Sequence, residues 1–262
     1  MIRVAVAGAA GRMGREVVRA IFSQGDMQLV AAYDTTCLGM DAGELAGIES
    51  CGVTLGAFDT ESLRRELPHV LVDFTTAEGA VSRLRAAVEN GVRVVSGTTG
   101  IVPVELDEFL SLAEERRVGV VYAPNFSIGA VLMMHFATLA ARYFPHAEII
   151  ELHHDKKQDA PSGTAAMTAE RIGRSRGALQ EIEGRLLPAA RGDVSRGVPI
   201  HSVRLPGLVA HQEVLFGGEG QVLTIRHDSF DRTSFMPGVV LAIRRVVDLD
   251  GPVVGLDRLL GL

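Results

Sequence analysis

Short apolar runs alternate along the first half of the chain with longer stretches whose apolar residues recur every three to four positions. The run Ile2–Ala7 is interrupted only by Arg3 and ends at Gly8, which suits a parallel strand buried on both faces. Over residues 11–24 the side chains of Met13, Val17, Ala20 and Ile21 fall on one face of a helix, which Gly25-Asp26 stops. Residues 28–33 predict the next strand. The alternation then repeats, with strands over 70–74, 92–95 and 118–122 and helices over 78–89 and 104–117, the first of these closed by Asn90-Gly91. Strand and helix exchanging at this spacing predict an α/β domain built on a doubly wound parallel sheet with right-handed crossovers.

Past Asn125 the pattern changes. Residues 128–144 form a long apolar helical stretch and 147–154 a strand; a loop rich in Lys, Asp, Pro and Gly then leads to a helix over 163–175. Residues 178–199 mix glycines, prolines and charges and read as an irregular excursion. Three strands follow over 200–205, 211–216 and 221–227, with turn signals and little helix between them. Consecutive strands predict a second, α+β domain carrying a mixed or antiparallel sheet. The final helix, over 233–247, is expected to return to the first domain. The expected division is residues 1–126 with 233–262, and residues 127–232.

Composition narrows the function classes. The 262 residues are 47% hydrophobic and 22% charged, which provides for a core and excludes a disordered or fibrous chain. A net charge of −6 argues against a general nucleic-acid binder and leaves room for a local cationic pocket. The apolar runs fall far short of the roughly 20 residues that span a bilayer. The chain opens directly on a strand, with no charged-then-apolar leader, so a cytoplasmic protein without a membrane partner is expected. Cys37 and Cys51 alone build neither a disulfide framework nor a four-ligand metal site, and no His adjoins them, so no metal and no thiol chemistry is expected. Tyr-x-x-x-Lys, P-loop and H-E-x-x-H patterns are absent.

Candidate chemistry sits in four places. Gly8-Ala9-Ala10-Gly11-Arg12-Met13-Gly14 closes the first strand and opens the first helix. Glycines there let backbone approach a pyrophosphate, and the helix N-terminus supplies N–H donors, although the spacing GxxGxxG departs from the commoner GxGxxG. Asp34 ends the second strand 20 residues after Gly14, where a carboxylate would bond the ribose hydroxyls of an adenosine. The plainer reading is a glycine-rich turn with an incidental acid. Asp34 would repel a 2′-phosphate and neither Thr35 nor Thr36 offers a cation, so NADH is expected to be preferred over NADPH, although Arg12 could swing toward such a phosphate. Ser96-Gly97-Thr98-Thr99-Gly100 and Ala123-Pro124-Asn125-Phe126 each follow a strand, on the edge where open parallel sheets bind ligands. Hydroxyls of the first could line a nicotinamide ribose, and the Phe126 ring is expected free to pack on a flat ligand. Taken singly, each also suits an ordinary strand–helix turn.

The fourth place is the richest. Glu151-Leu152-His153-His154-Asp155-Lys156-Lys157-Gln158-Asp159-Ala160-Pro161-Ser162-Gly163-Thr164 combines two imidazoles, two ammonium groups and a Ser-Gly-Thr turn entering a helix. Such a helix N-terminus holds a carboxylate, and His153 or Lys157 could supply a proton. Neighbours on a strand point to opposite faces, so His153 and His154 share a pocket only where the strand ends or bulges. A solvated charged loop with an N-capped helix fits these residues equally well.

Together these motifs, with Asn125-Phe126-Ser127 and Ile200-His201-Ser202-Val203-Arg204, resemble the dihydrodipicolinate (4-hydroxy-tetrahydrodipicolinate) reductase family over almost the full chain. The resemblance implies a Rossmann-like dinucleotide domain, a second domain for substrate and oligomer contacts, and a cytoplasmic homotetramer in the diaminopimelate route to lysine. It implies reduction of a small cyclic dicarboxylate imine by NADH or NADPH. His153 then takes the proton donor/acceptor position and Lys157 the proton donor's, while His154, Gly163 and Thr164, with Ser162 beside them, take the substrate's. Gly8, Ala9, Ala10, Gly11, Arg12, Met13, Asp34, Gly97, Thr98, Thr99, Ala123, Pro124, Asn125 and Phe126 take the dinucleotide's. Thr35 departs from the basic residue many relatives carry, which weighs against strong NADPH use. With cofactor and substrate on different domains, closure on binding is expected. Two alternatives stand beside this: another NAD(P)-dependent imine or amino-acid dehydrogenase on the same plan, and a non-catalytic dinucleotide sensor, which gives no reason for His153, Lys157 and the Ser162-Gly163-Thr164 turn.

Overall fold

The computed structural model describes residues 1–176 and 191–262, which divide into two compact units. Met1–Ser127 and Phe235–Leu262 form the first. Its sheet has seven strands: β1 (Ile2–Ala7), β2 (Met27–Tyr33), β3 (Leu55–Gly56), β4 (Val70–Asp73), β5 (Arg93–Ser96), β6 (Val120–Tyr122) and β12 (Pro252–Val254). Every pairing in it is parallel. The strands are mostly apolar because both faces are covered: Val4, Val6, Val70, Leu71, Val72, Val94, Val95, Val120 and Val121 are all wholly buried. Helices α4 (Ala80–Glu89) and α5 (Pro103–Arg116) cover one face, where Leu84, Phe109 and Ala113 pack with Ala5, Leu71, Val94 and Val120. Helices α1 (Arg12–Phe22) and α8 (Met236–Val246) pack together over the other.

The strand order β12-β6-β5-β4-β1-β2-β3 decides where a ligand can enter. The chain winds outward from β1 in one direction through β2 and β3, and in the other through β4, β5 and β6. Connections leaving the ends of β1 and β4 therefore diverge and open a crevice between them. The predicted parallel sheet is present. Over residues 35–69, where the sequence reading assigned nothing, lie β3 and two short helices, α2 (Ala42–Leu45) and α3 (Thr60–Glu66), N-capped by Asp41 and Asp59. A closing helix, α9 (Leu256–Leu260), and β12 were also unassigned.

Ile128–Ser234 forms the second unit. Its sheet, ordered β11-β10-β7-β9-β8, comprises β7 (His146–His153), β8 (Asp193–Ser195), β9 (Val198–Arg204), β10 (Ala210–Gly218) and β11 (Gln221–Ser229). The β7–β9 pair is parallel and the others are antiparallel, so the sheet is mixed, as expected. Helices α6 (Ile128–Ala140) and α7 (Gly163–Ser175) pack on each other, and α7 packs on β7 and β9. Helix α6 stops at Ala140, short of the expected Phe144. Of the stretch read as irregular, residues 178–190 lie outside the described residues; β8 and the start of β9 occupy part of the remainder. Among the described residues no helix is long and apolar enough to cross a membrane.

Candidate functional site

The predicted residues fall into two clusters, one in each unit. The first lies at the carboxyl ends of β1 and β4. Gly8 adopts φ +80°, and a Cβ there would stand 2.6 Å from the Phe74 carbonyl oxygen. A Cβ on Gly14 would stand 2.0 Å from the Gly8 carbonyl oxygen. Side chains would thus force the turn off the sheet and the helix off the turn. Helix α1 begins at Gly11 with no side-chain cap, so its first N–H groups remain available to an anion. Arg12 is exposed at that end, Ala9 is buried, and Ala10 and Met13 are half-buried.

Asp34 follows β2 and ties two loops together. Its Oδ2 accepts from Ala10 N (2.9 Å), and its Oδ1 from Thr35 N (2.8 Å), Thr36 N (3.1 Å) and the Thr36 hydroxyl (3.1 Å). An open cleft of about 330 Å³ runs along this edge, lined by Gly8, Gly11, Asp34, Thr35, Phe58, Phe74, Thr75, Thr76 and Arg83, among others. Glycine backbone, an uncapped helix start, an acid and flanking aromatic rings fit a dinucleotide.

The loops after β5 and β6 are held differently from the sequence expectation. Thr98 is 2% exposed; its hydroxyl donates to Asp73 Oδ1 (2.6 Å) and accepts from Thr75 N (3.0 Å). It braces the turn from within, and its backbone N–H is engaged as well, donating to Ser96 Oγ (3.3 Å). Gly97 N donates to the Asp73 carbonyl, and Thr99 is exposed. Asp73 itself is wholly buried and also accepts from Thr75 Oγ1 (2.8 Å) and Arg83 Nε (3.1 Å). Phe126 is not free to pack on a flat ligand: it is 1% exposed and meets Phe74 edge-on, with ring centroids 5.6 Å apart. The apolar ring gains more from the core than from an exposed sheet edge. Asn125 Oδ1 accepts from Ser127 N, Pro124 is exposed and Ala123 is buried.

The second cluster forms where β7 ends. The strand's last residue is His153, so His154 lies beyond the pleat and is released from the alternation that would send it to the opposite face. His153 Nδ1 bonds Glu151 Oε2 at 2.5 Å. Burial pushes the imidazole's pKa below its ordinary value, against the pull of Glu151; the positive charges of Lys157 and Arg204 add to the depression. Lys157 Nζ donates to both carboxylate oxygens of Asp159 (2.7 and 2.8 Å). Ser162 N-caps α7, its hydroxyl accepting from Ala165 N (3.2 Å), and is 3% exposed, so that hydroxyl is already committed. Gly163 is exposed and Thr164 half-buried at the same helix start, where N–H groups and positive dipole charge favour an anion.

Sequence reasoning gave no role to the groups beneath these clusters, although Glu151 and Arg204 fall inside motifs it quoted. Glu151 stands two residues before His153 on the same strand face, a spacing that could have flagged it. Asp73 ends an apolar run, a comparable signal. Nothing along the chain points to Arg83 or Arg204 as their partners. Among the described residues no group of three or more His, Cys, Asp or Glu could hold a metal ion.

Family models match both units: one described as "Dihydrodipicolinate reductase, N-terminus" over residues 2–126, and one described as "Dihydrodipicolinate reductase, C-terminus" over residues 129–260. The chain belongs to the dihydrodipicolinate reductase family. It is therefore an enzyme and an oxidoreductase. The 4-hydroxy-tetrahydrodipicolinate reductase of Moorella thermoacetica is 52% identical over 261 residues, 99% of this chain and 98% of that protein. That of Listeria monocytogenes serotype 4b (strain F2365) is 49% identical over 264 residues, 99% of this chain and all of that protein. A solved structure of a dipicolinate-bound dihydrodipicolinate reductase from Paenisporosarcina sp. TG-14 superposes with a TM-score of 0.86 at 46% identity, covering 98% of this chain and 99% of that one. Both clusters lie inside the two ranges that define the dihydrodipicolinate reductase family.

Proposed function

We propose that the chain reduces 4-hydroxy-tetrahydrodipicolinate to tetrahydrodipicolinate and water. The observation that carries this reading is the block from Glu151 to Thr164, which brings His153, Lys157 and the start of α7 together at the end of β7, in a chain about half identical to reductases named for that substrate. When bound, NAD(P)H supplies the hydride.

The backbone of Gly8, Ala9, Ala10, Gly11, Arg12 and Met13 holds the pyrophosphate, and the loops of Gly97, Thr98 and Thr99 and of Ala123, Pro124, Asn125 and Phe126 hold the nicotinamide half. Asp34 receives the adenosine ribose. Its carboxylate faces no basic group at Thr35 or Thr36, which favours NADH over NADPH, as charge repulsion disfavours a 2′-phosphate there. His154, Gly163 and Thr164 bind the dicarboxylate, and Ser162, whose hydroxyl and N–H are already bonded within the protein, holds the helix start that presents them. The backbone N–H groups at the α7 start and the Lys157 ammonium offset its charge inside an otherwise acidic protein. His153 and Lys157 hold the protons that the reduced substrate needs and that leave with water. Cytoplasmic location and homotetrameric assembly belong to the same reading, and sedimentation of the purified protein measures the second.

The test is oxidation of NADH and of NADPH, with substrate formed in place from pyruvate and aspartate semialdehyde. Wild-type protein should turn over with both and faster with NADH. Lys157→Ala should lose roughly 10²- to 10⁴-fold in kcat, the range of a general acid–base contribution. No oxidation by wild-type protein that still binds NADH would overturn the reaction, and a faster NADPH rate would overturn the role given to Asp34.

A further inference from the structure

The Glu151 carboxylate is wholly buried, and the protein's own donors surround it. Arg204, Ser162 and His153 together bring four bonds to its two oxygens, and Ser202 adds a further side-chain hydrogen bond. Arg204 clamps it with two bonds, Nη1 to Oε2 (2.9 Å) and Nη2 to Oε1 (2.7 Å). Ser162 N donates to Oε1 (3.2 Å), and His153 Nδ1 meets Oε2 at 2.5 Å. The geometry follows from the sheet. Residues two apart on β7 share a face, and the parallel register with β9 sets Arg204 beside His153 and Ser202 beside Glu151. Arg204 Nη2 also donates to the Asp159 carbonyl (2.7 Å), so the same guanidinium anchors the loop that carries Lys157.

We propose that Glu151, clamped by Arg204, is the positioning residue that decides which nitrogen of His153 exchanges the proton. This rests on the role given to His153 above. A carboxylate surrounded by donors carries no proton of its own and can only accept, so Nδ1 must bear the hydrogen that joins them. In the neutral ring the second nitrogen, Nε2, is then bare, and it is the atom that takes up and gives back the reaction's proton. The carboxylate also stabilises the imidazolium each time it forms, while the ring is held against rotation.

The groups facing the ring oppose one another. Glu151 favours its protonated form, whereas Arg204 from β9 and Lys157 from the following loop disfavour it. Asp159 pairs with Lys157. From β10 the register neighbours of His153 and Glu151 are Ala210 and Gln212, neither of them titratable, and α7 contributes Thr168, which Gln212 binds. Removing the Glu151 charge therefore leaves two cations against the ring. Glu151→Gln should make His153 protonate at a pH lower by about 1 to 3 units, the usual effect of one close opposite charge.

The experiment is nitrogen NMR of the full chain labelled at histidine, with His153→Asn to assign the signal, alongside pH profiles of kcat and kcat/KM. In wild-type protein above its titration, His153 should show a protonated Nδ1 and a bare Nε2. In Glu151→Gln the titration and the basic limb of the kcat profile should move together toward acid. At neutral pH kcat should fall roughly 10²-fold, with KM for the substrate changed far less. Rapidly averaged nitrogens or a protonated Nε2 in wild-type protein would overturn the proposal, and this measurement needs no variant to fold. So would a Glu151→Gln protein that keeps its titration and loses only KM. An inactive wild-type protein with the expected tautomer would break the substrate assignment and leave the pairing standing.

Discussion

Replacing Asp73 by Asn tests the brace beneath the loops after β4 and β5, the second of which is proposed to hold the cofactor. Asp73 is wholly buried and Arg83 is 18% exposed, at 3.1 Å. Asn keeps the shape and one acceptor oxygen, but it turns an amide N–H₂ or a weaker acceptor toward the guanidinium and leaves that charge unpaired. Breaking a buried ion pair from one side costs about 3–5 kcal/mol. Arg83 lines the cleft and is part-solvated, which places this case near the lower end, about 3 kcal/mol. For a unit of this size that corresponds to a fall in Tm of roughly 6–12 °C. The same substitution weakens the 2.6 Å bond from the Thr98 hydroxyl, which is charge-assisted and buried. Losing about half of the 1.5–3 kcal/mol such a bond contributes loosens the Gly97-Thr98-Thr99 turn and should raise the Kd for NADH about tenfold. Calorimetric melting and titration with NADH read both effects. Arg83→Met, made singly and in combination, closes a double-mutant cycle, and the pair should recover about 1–3 kcal/mol relative to the sum of the single changes. An Asp73→Asn protein that melts within about 2 °C of wild type, or a cycle in which the two changes simply add, would refute the reasoning.

Two further outcomes follow from the same geometry. Gly14→Ala should destabilise although alanine is the better helix former by about 1 kcal/mol, because its Cβ meets backbone at 2.0 Å and α1 must shift; dinucleotide titration and urea unfolding should show loss of binding with about 1–3 kcal/mol of stability. Burial raises the Asp41 pKa, but hydrogen bonds from Cys51 N, Glu44 N, Ser50 Oγ and Gly52 N outweigh it and hold the group at about 2. Its folded pKa lies below the unfolded value, so it stabilises above about pH 4 and that contribution is lost as pH falls toward 2. The Tm gap between wild type and Asp41→Asn should therefore narrow over that range in melts taken across pH.

From Ile2 to Tyr122 the alternation of apolar runs with helical faces was enough to specify a parallel sheet, since a strand covered on both sides reads as a nearly continuous apolar run. The run of strands after β7, with little helix between them, likewise pointed to a mixed sheet. Residues 35–69 hid their elements because α2, β3 and α3 are too short to show a period, leaving only Asp41 and Asp59 as capping signals. The clustering of Gly8 to Gly14, Asp34 and the Glu151-to-Thr164 block was legible as candidate chemistry, because each is local in sequence and sits at the end of a predicted strand or the start of a helix. What the side chains do there was not legible. Thr98 and Ser162 turn their hydroxyls inward, and Phe126 joins the core. Glu151 and Asp73 become buried acids with arginine partners. A polar group bonds whatever packing brings within about 3 Å of it. Asp73 meets Thr98 across 25 residues and Glu151 meets Arg204 across 53. Local pattern selects the strands and helices, but strand order and register choose those partners, and only the folded sheet contains both.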